Sequence, residues 1–457
     1  MAHHDLCIVG TGSGNTILDE RFDDLDVAIV EQDAFGGTCL NRGCIPTKMF
    51  VHPADVALAA ATGTRLGVET TFDGVRWREI RDRIFGRIDP IAADGADYRR
   101  GQPHVTVYEG SGRFVGLRRM AVTGGADDGA EITADRWVLA AGARADLPDV
   151  DGLDTVPFHT SDTVMRIDEL PRRVVVLGGG FIGCEMAHVF SAFGAEVTVV
   201  TRGELLLSHH DTEIARRFTE VFSGRVDLRR RHHLRRVAET AGVTTVELDH
   251  DEGGAAIECD LLLVATGRIP NSDLLDVAST GVMVDEAGFV LTDDTLQTDV
   301  EGIWALGDLR SPQMLKHVAN HEARVVQHNL LHPRSPISVE ERYIPHAVFT
   351  SPQVAAVGLT EAGARALGHD VIVSTRAYGD TAYGWALDDT TSICKLVAER
   401  SSRRLLGAHL VGPEASILIQ MLVQGMVAGS TVDELARGQM YPHPALTEVV
   451  EQALLGF

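Results

Sequence analysis

The chain has 457 residues, more than one ordinary hydrophobic core holds, so several domains are expected. Its net charge of −24 argues against nucleic acid as a partner, because phosphate binding needs clustered Lys and Arg. No apolar run reaches the roughly 18 residues that span a membrane. Six cysteines in a chain of this length do not form a disulfide framework. The first strand begins too early for a signal peptide, so a cytoplasmic location is predicted.

The first predicted unit is a strand, a glycine turn and a helix. An apolar strand at residues 6–9 runs into the glycine turn of residues 10–14, after which a helix is predicted. The next strand, residues 27–30, ends at Glu31, 21 residues beyond Gly10. Amide groups at a helix start favour a pyrophosphate, and an acid at this distance accepts hydrogen bonds from a ribose. The unit therefore predicts a dinucleotide site, although Asn15 replaces the third glycine of G-x-G-x-x-G.

Two cysteines, Cys39 and Cys44, follow among glycines. A disulfide between them would close a short loop, which removes little entropy from the unfolded chain. This spacing therefore favours a reactive, cycling disulfide over a structural one. Two structural thiols, or half of a zinc site, are the alternatives. A zinc site would need a second pair at similar spacing, and the sequence has none.

The segment GGTCLNRGCIPTK, residues 36–48, resembles the redox-active segment of the flavoprotein pyridine nucleotide–disulfide oxidoreductases. This resemblance extends over the whole chain. It implies that the first unit holds FAD and that Cys39 and Cys44 form the redox disulfide. Cys44 would be the cysteine near the flavin, and Cys39 the interchange thiol that attacks the substrate. Lys48 and Glu185 are implied to form a buried ion pair beside the flavin ring, whereas an exposed Glu185 is the alternative.

Long helices are predicted after Lys48 and around residues 77–98, and Ala141-Gly142 then matches the hinge at which the family's chain leaves the FAD domain. A second unit follows, with a strand at residues 174–177, the full G-x-G-x-x-G of residues 178–183, a helix to about residue 193 and a strand at residues 197–200. Two dinucleotide motifs in one chain indicate an enzyme that uses both a flavin and a nicotinamide.

Thr201 and Arg202 follow that second strand, where NADH-binding proteins place an acid. An arginine suits the 2′-phosphate of NADPH. Ser208 stands where NADPH-dependent relatives carry a second arginine, and protonated His209 or His210 could replace it. The alternative is that Arg202 is a surface residue without a role.

The chain is predicted to re-enter the FAD domain at Gly267-Arg268. The pair Gly307-Asp308 resembles the family's second FAD motif, in which the Asp takes hydrogen bonds from the ribityl chain. A helix at residues 315–324 resembles the one that lies along the flavin. His317 and His321 are one helical turn apart, but no third ligand is indicated, so no metal site is predicted.

From about residue 345, short strands alternate with two long helices, which resembles the interface domain that makes these enzymes homodimers. His443 and Glu448 match the family's catalytic dyad, in which the His acts at the cysteines of the other subunit. A His-Pro turn at a subunit contact is the alternative for His443.

The expected fold is α/β, with two Rossmann-like dinucleotide-binding domains and a C-terminal α+β dimerisation domain. The predicted boundaries are 1–149 and 267–335 for the two FAD segments, 150–266 for the NADPH domain and 336–457 for dimerisation. The residues expected to hold the cofactors are Gly10, Gly12, Ser13, Gly14, Glu31, Gly37, Thr38, Ala141, Gly142, Gly178, Gly180, Gly183, Arg202, Gly267, Arg268, Gly307 and Asp308.

The implied activity is NADPH-dependent reduction of a low-molecular-weight disulfide, with FAD as the second cofactor. The stretches 12–21, 87–92, 317–327 and 378–385 look like the mycothione reductases within the family, which favours mycothione as the substrate. Glutathione disulfide and lipoamide are the alternative substrates. A flavin-binding redox sensor without catalysis is the alternative from another class.

Overall fold

The computed structural model describes residues 1–251 and 253–457. The chain forms two compact units, each assembled from three segments, and the predicted α/β class is confirmed. The first unit contains Met1–Met49, Glu79–Asp146 and Gly267–Glu341, and the second contains Phe50–Arg78, Leu147–Thr266 and Arg342–Phe457. The finer division into FAD, NADPH and dimerisation domains stays a prediction.

The first unit is built on a seven-stranded sheet whose central strands are parallel. Along the central strand Ala2–Val9, Leu6 and Ile8 enter one buried cluster, while Cys7 and Val9 enter the other. Both faces of this strand are therefore covered, as expected for an apolar parallel strand. The strands, in sheet order, are Val105–Glu109, Val27–Glu31, Ala2–Val9, Glu131–Leu139, Arg119–Thr123 and Ser111–Gly116, with Ile303–Ala305 also paired to Glu131–Leu139.

The glycine turn is not followed by the predicted α-helix. Two 3₁₀ turns, Gly14–Ile17 and Glu20–Phe22, occupy that position. The Asp19 side chain accepts a hydrogen bond from the Arg21 amide and begins the second turn, so no continuous helix forms. Asp and Asn compete for backbone groups in this way, which makes them poor residues for a helix interior. The prediction of a helix here was wrong.

Three further helices match predicted positions. Helices were expected after Lys48, around residues 77–98 and at residues 315–324, and all three occur. Their observed bounds, with the short helix of the redox segment, are Gly37–Asn41, Cys44–Thr62, Trp77–Arg100, Ser272–Leu275 and Lys316–Leu331.

The second unit contains a four-stranded parallel sheet with the second glycine motif. The helix Phe181–Ala192 follows the strand Arg173–Leu177, as predicted. A three-stranded antiparallel sheet and the helix Thr212–Phe222 accompany it. The parallel strands in sheet order are Asp227–Arg229, Glu196–Val200, Arg173–Leu177 and Leu261–Val264, and the antiparallel ones are His233–Thr240, Val243–Asp249 and Ala255–Cys259.

The C-terminal part of the second unit is a five-stranded antiparallel sheet. Four of its strands were predicted, but Val371–Ala377 was missed. One helix of 14 residues and several shorter ones cover the sheet, instead of two long helices. The strands in order are His346–Val348, Gln353–Gly358, Leu405–Gly412, Ile393–Glu399 and Val371–Ala377, and the helices are Glu361–Ala366, Ala382–Ala386, Ala415–Ala428, Val432–Arg437 and Thr447–Leu455.

Within residues 1–251 and 253–457, every helix is too short or too polar to cross a membrane.

Candidate active site

The first glycine turn brings three backbone segments into close approach. Gly10 has φ +99°, and a Cβ there would lie 2.4 Å from the Ala140 carbonyl oxygen. A Cβ on Gly37 would lie 2.7 Å from Gly12 Cα, so the turn touches the start of the redox segment. Side chains at these positions would push the segments apart, which explains glycine at both.

Glu31 lies where the sequence predicts the ribose acceptor. One carboxylate oxygen accepts from the Thr11 amide at 2.8 Å and the Thr11 hydroxyl at 2.6 Å, and the other accepts from the Asp33 amide at 3.0 Å. Glu31 also lines a cavity of about 460 Å³. The other walls of this cavity include Phe35, Ala92, Ala96, Glu109, Gly110 and Gly125. A partly apolar cavity with a fixed carboxylate beside a glycine turn fits the adenosine half of a dinucleotide.

Arg99 supports the turn around Asn15, and sequence reasoning missed it. Its guanidinium donates to the Asn15 side chain and to the backbone carbonyls of Asn15 and Leu18, each bond measuring 2.7–3.1 Å. Arg99 is buried at 5% exposure. The side chain thus fixes the conformation of the segment in which the third glycine of the motif is replaced.

The two hinge segments pair as short antiparallel strands, Ala143–Ala145 with Arg268–Pro270. The Asn271 side chain donates to the Ala141 carbonyl at 2.8 Å, and the Asn271 amide donates to Gly142. Arg268 donates to the Ala143 carbonyl, and Gly267 lies beside Asp146. The predicted hinge residues Ala141, Gly142, Gly267 and Arg268 therefore lie together.

Asp308 lies in the 3₁₀ turn Gly307–Leu309, half-buried. Burial raises the pKa of Asp308, while the positive charges of Arg268 and Lys316 oppose that rise. The buried Glu322 accepts from the Gly307 amide and from Arg310, and its role was not anticipated. Burial raises the pKa of Glu322 to about 7. Glu322 thereby fixes the turn that presents Asp308.

Cys39 and Cys44 lie at two successive helix starts. Cys39 is in the helix Gly37–Asn41 and half-buried, and Cys44 is the exposed first residue of Cys44–Thr62. Both are thiols in this structure. A hydrogen bond with Cys44 and burial raise the pKa of Cys39, whereas the charge of Lys316 lowers it. The two sulfurs are close enough to share a proton, as a redox pair requires.

The loop between the cysteines is held by local bonds. The Asn41 side chain donates to the carbonyls of Ala34, Phe35 and Gly37 at 2.9–3.1 Å. The Arg42 amide donates to the Thr38 carbonyl at 2.9 Å. These bonds fix the backbone on which Gly37, Thr38 and Cys39 lie.

Lys48 and Glu185 fall in different units, and their pairing stays a prediction. Lys48 is half-buried in the first unit. Glu185 is 3% exposed in the second unit and accepts from the Phe349 amide at 2.8 Å. The alternative prediction, that Glu185 is exposed on its helix, is therefore wrong.

The second glycine motif has the tight geometry of a dinucleotide turn. Gly178 has φ +121°, and a Cβ there would lie 2.1 Å from the Ala265 carbonyl oxygen. A Cβ on Gly183 would lie 2.2 Å from the Gly178 carbonyl oxygen. Gly180, at the N-cap of the helix, has open space in front of it. The helix start is therefore accessible to an anion.

Arg202 is exposed directly after the buried Thr201. His210 does not serve as a cationic partner, because burial and the neighbouring His346 and His409 lower its pKa to about 3. This low pKa argues against His210 in that role, and its ring packs against His346 at a centroid distance of 4.8 Å, which the sequence does not reveal. Arg230 and Arg231 instead reach Glu204, two residues beyond Arg202, at 3.3 and 3.2 Å.

His443 and Glu448 lie together at the start of the last helix. His443 Nδ1 and Glu448 Oε1 are 2.8 Å apart, and the other carboxylate oxygen accepts from the Ala445 amide. The hydrogen bond with His443 lowers the pKa of Glu448. The His443 side chain is 72% exposed, whereas that of Glu448 is 16% exposed. The pair presents a fixed imidazole to the outside of the subunit.

Among the described residues, His, Cys, Asp and Glu form no group of three or more that could hold a metal ion. His317 is exposed. No metal is proposed for this chain.

Comparison with known proteins decides the family. A sequence model of the family described as pyridine nucleotide-disulphide oxidoreductase matches residues 4–323, and a model of that family's dimerisation domain matches residues 344–454. The chain belongs to the pyridine nucleotide-disulphide oxidoreductase family. The implied class is thus confirmed: it is an FAD-dependent NAD(P)H:disulfide oxidoreductase whose cofactors are FAD and NADPH, and it carries a dimerisation domain.

Individual members of the pyridine nucleotide-disulphide oxidoreductase family resemble the chain over its whole length. Mycothione reductase of Mycobacterium tuberculosis is 52% identical, with 100% of both chains covered. Dihydrolipoyl dehydrogenase of Haloferax volcanii is 32% identical, with 98% of this chain and 95% of that protein covered. The HOCl-induced flavoprotein disulfide reductase RclA of Escherichia coli superimposes with a TM-score of 0.86 at 27% identity, covering 99% of each chain.

Proposed function

We propose that the chain reduces the disulfide mycothione to two molecules of mycothiol, with NADPH as the electron donor. The observation that carries this proposal is the full-length likeness, at 52% identity, to mycothione reductase of Mycobacterium tuberculosis. Dihydrolipoyl dehydrogenases and mercuric reductases are 28–32% identical to this chain. Lipoamide and mercuric ion therefore have less support as substrates. A cytoplasmic location is part of the proposal.

The residues of the first unit fit FAD, which supplies two-electron transfer between the nicotinamide and a protein disulfide when bound. The glycine turn at Gly10 would receive the pyrophosphate and Glu31 the ribose beside its cavity. Asp308 would accept hydrogen bonds from the ribityl chain. In the second unit, the open helix start at Gly180 would receive the NADPH pyrophosphate, and Arg202 its 2′-phosphate.

Arg230 and Arg231 are proposed as the second cationic element for the 2′-phosphate. They belong to the basic stretch of residues 225–236, and their ion pairs with Glu204 hold them beside the segment that follows Arg202. The sequence signal was present in this stretch. The pairing with Glu204 and backbone hydrogen bonds, from the Thr201 amide to the Arg229 carbonyl at 2.9 Å and from the Arg231 amide to the Gly203 carbonyl at 3.2 Å, connect it to the cofactor site.

The Cys39–Cys44 pair carries out the exchange in its reduced form. The Cys39 thiolate attacks one sulfur of the substrate, so that a Cys39–substrate disulfide forms and the first product thiolate leaves. The Cys44 thiolate then attacks the Cys39 sulfur, which re-forms the Cys39–Cys44 disulfide and releases the second product thiolate. The two thiol protons end on the two products, and NADPH with one solvent proton restores the dithiol.

His443 moves the protons of this exchange. It takes the proton from the attacking thiol and donates it to the departing sulfur. Glu448 holds Nδ1 at 2.8 Å, which fixes the ring and supports its charge. We propose a homodimer in which His443 of one subunit acts at the cysteines of the other, and the high exposure of His443 together with the matched dimerisation domain supports this arrangement.

Substrate recognition has less support from individual residues. Asn15 and Asp19 are bonded to Arg99, Arg21 and Gln327, whereas Glu20 is exposed. Glu20 is therefore the better candidate for a hydroxyl-rich sugar–inositol ligand. Asn15 and Asp19 support the turn on which it lies.

The test is nicotinamide oxidation by the purified holoenzyme with mycothiol disulfide, glutathione disulfide and lipoamide, each with NADPH and with NADH. We expect turnover with mycothiol disulfide and NADPH, and none with the Cys39→Ser variant as the matched control. Better turnover with glutathione disulfide or lipoamide would reject mycothione. A protein that binds FAD but oxidises no nicotinamide with any disulfide would be a redox sensor instead.

A further inference from the structure

The basic residues of the chain are almost all arginines. Only three of its 41 basic residues are lysines, namely Lys48, Lys316 and Lys395. Lys48 lies in the redox segment, and Lys395 lies among three carboxylates. A lysine in such a chain indicates a position where a compact point charge serves better than a planar guanidinium. Lys316 lies outside both the redox segment and this carboxylate cluster.

The ammonium of Lys316 is anchored without being neutralised. Lys316 is the first residue of the helix Lys316–Leu331, and its Nζ donates to the Ser13 hydroxyl at 3.0 Å. Ser13 in turn donates to the Asn320 side chain at 2.9 Å. No ion pair of Lys316 occurs within residues 1–251 and 253–457. Its charge therefore acts on the anions nearby, and the Asp308 carboxylate in the neighbouring turn is one of them.

The backbone places this charge next to the redox segment. Ser13 follows Gly12, whose Cα would be only 2.7 Å from a Cβ on Gly37, two residues before Cys39. The Gly36 amide also donates to the Thr11 hydroxyl at 3.2 Å. The turn that anchors Lys316 and the helix that carries Cys39 are thus in direct contact.

We propose that Lys316 is the cation that stabilises the Cys39 thiolate of the reduced redox pair, and thereby sets the fraction of interchange thiol that is ionised near neutral pH. This inference rests on the proposed role of Cys39. Lys316 neither takes nor gives a proton in this role. The Cys39 proton leaves to His443 or solvent, and the ammonium holds the charge that remains on the sulfur.

The groups around Cys39 act on the pKa of its thiol in opposite directions. The hydrogen bond with Cys44 and burial raise the pKa of Cys39, and within the described first unit the charge of Lys316 opposes them. Lys316 also acts on Asp308 in the neighbouring turn, together with Arg268. Arg42 is paired with Asp33. A cation close to a thiol lowers its pKa and raises its reactivity at neutral pH.

The experiment measures alkylation of Cys39 by iodoacetamide against pH in the FAD-loaded full chain. A Cys44→Ser background removes the coupled titration, and mass spectrometry identifies the alkylated residue. Lys316→Met removes the charge, Lys316→Gln removes it but keeps a donor for Ser13, and Lys316→Arg keeps the charge. Arg400→Met is the matched control, because it removes one exposed positive charge from a surface pair with Asp370.

We expect the midpoint of the alkylation profile to rise by about one pH unit in Lys316→Met and Lys316→Gln, so that Cys39 reacts about tenfold more slowly at neutral pH. Lys316→Arg should restore most of the rate, and Arg400→Met should change nothing. An unchanged midpoint in both neutral variants overturns the proposal. So does a wild-type profile in Lys316→Gln alone, since Ser13 anchoring would then be the cause.

A variant that loses FAD or its cooperative melting transition is excluded by its absorbance and thermal melt, and the other neutral variant then decides. The alkylation assay uses no disulfide substrate. A failure to reduce mycothione would therefore reject the proposed substrate. The alkylation profile would still show whether Lys316 stabilises the Cys39 thiolate.

Discussion

At the scale of single residues, the chemistry depends on which groups hold protons at rest. Glu448 keeps its charge because the hydrogen bond with His443 lowers its pKa. A carboxylate whose pKa is lowered in the folded protein contributes to folding stability above the ordinary carboxylate pKa. That contribution is lost as the pH falls through the lowered pKa. The dyad therefore stays intact at neutral and mildly acidic pH.

Replacing His443 tests the proton transfer directly. We expect His443→Ala to lower turnover by about 10²–10⁴-fold, the usual contribution of a positioned acid–base group. Glu448→Gln should cause a smaller loss, because a neutral amide can still bond to the ring. Steady-state rates, with bound FAD and reduction by NADPH measured in parallel, provide the check. Near-normal turnover of His443→Ala would remove the dyad from the mechanism.

The sequence predicts site residues correctly where their contacts are local in the chain. It does not predict roles that depend on burial or on contacts between distant segments. Glu448 is five positions from His443, so one motif carries the whole pair. Arg99 acts on Asn15 across 84 positions, and no local pattern connects them. A protonated imidazole such as that of His210 can bind a phosphate, yet this ring packs against His346 with ring centroids 4.8 Å apart. Such environments exist only once distant strands and helices meet.

At the scale of elements, the same limit applies to the secondary structure. The strands of both glycine motifs were predicted because fully buried parallel strands are short apolar runs. The helix after Gly14 was wrong because Asp19 bonds to the backbone and interrupts it. The strand Val371–Ala377 was missed because it is an edge strand with only two buried residues, so its alternation of apolar and polar residues is weak.

Arg99 is predicted to maintain the conformation in which the first glycine turn binds FAD. In Arg99→Met, the carbonyls of Asn15 and Leu18 lose a buried donor, which costs about 1–3 kcal/mol for each group left unsatisfied. We expect a lower melting temperature and weaker binding of FAD. Flavin release on dilution measures the loss of binding. Arg83→Met, on the exposed side of the same helix, is the control. Equal behaviour of the two variants would contradict this role.

Lys395 joins three elements of the second unit through its ammonium. It lies on the strand Ile393–Glu399, and its Nζ is 2.9 Å from Asp211, which caps the helix Thr212–Phe222. It is also 2.9 Å from Glu361 in the helix Glu361–Ala366. Burial lowers the pKa of Lys395, but the hydrogen bonds to Glu361 and Asp211 outweigh it and raise the pKa overall. For Asp211, burial is likewise outweighed and the pKa is lowered.

Removing this ammonium should destabilise the second unit. Lys395→Met leaves the buried Asp211 without its cation, which costs about 3–5 kcal/mol. The loss should be present between about pH 4 and pH 10. It should fade below that window, where Asp211 protonates, and above it, where Lys395 would be neutral. Urea midpoints against pH provide the measurement, and Arg400→Met, an exposed pair, should cost under about 1 kcal/mol. A loss independent of pH would point to packing alone.

At the scale of the whole molecule, the proposed active site needs two subunits. Cys39 and His443 belong to different compact units of the chain. His443 is highly exposed, and its segment lies in the matched dimerisation domain. A partner subunit that covers His443 would explain why the imidazole proposed for catalysis is exposed in one chain. The proposed mechanism therefore requires a homodimer, and mixing two variants tests this requirement.

Mixing two inactive variants tests shared sites. Cys39→Ser and His443→Ala homodimers should each be inactive. If His443 acts on the partner's cysteines, a dimer with one chain of each kind contains one intact site, built from Cys39 of one subunit and His443 of the other. Random reassortment after mild denaturation should then restore about a quarter of wild-type activity, since about half of the dimers are mixed and each has one working site of two. If Cys39 and His443 of the same chain act together, every site in the mixed dimer lacks one group and no activity returns. Wild-type protein taken through the same denaturation gives the recovery against which the quarter is measured.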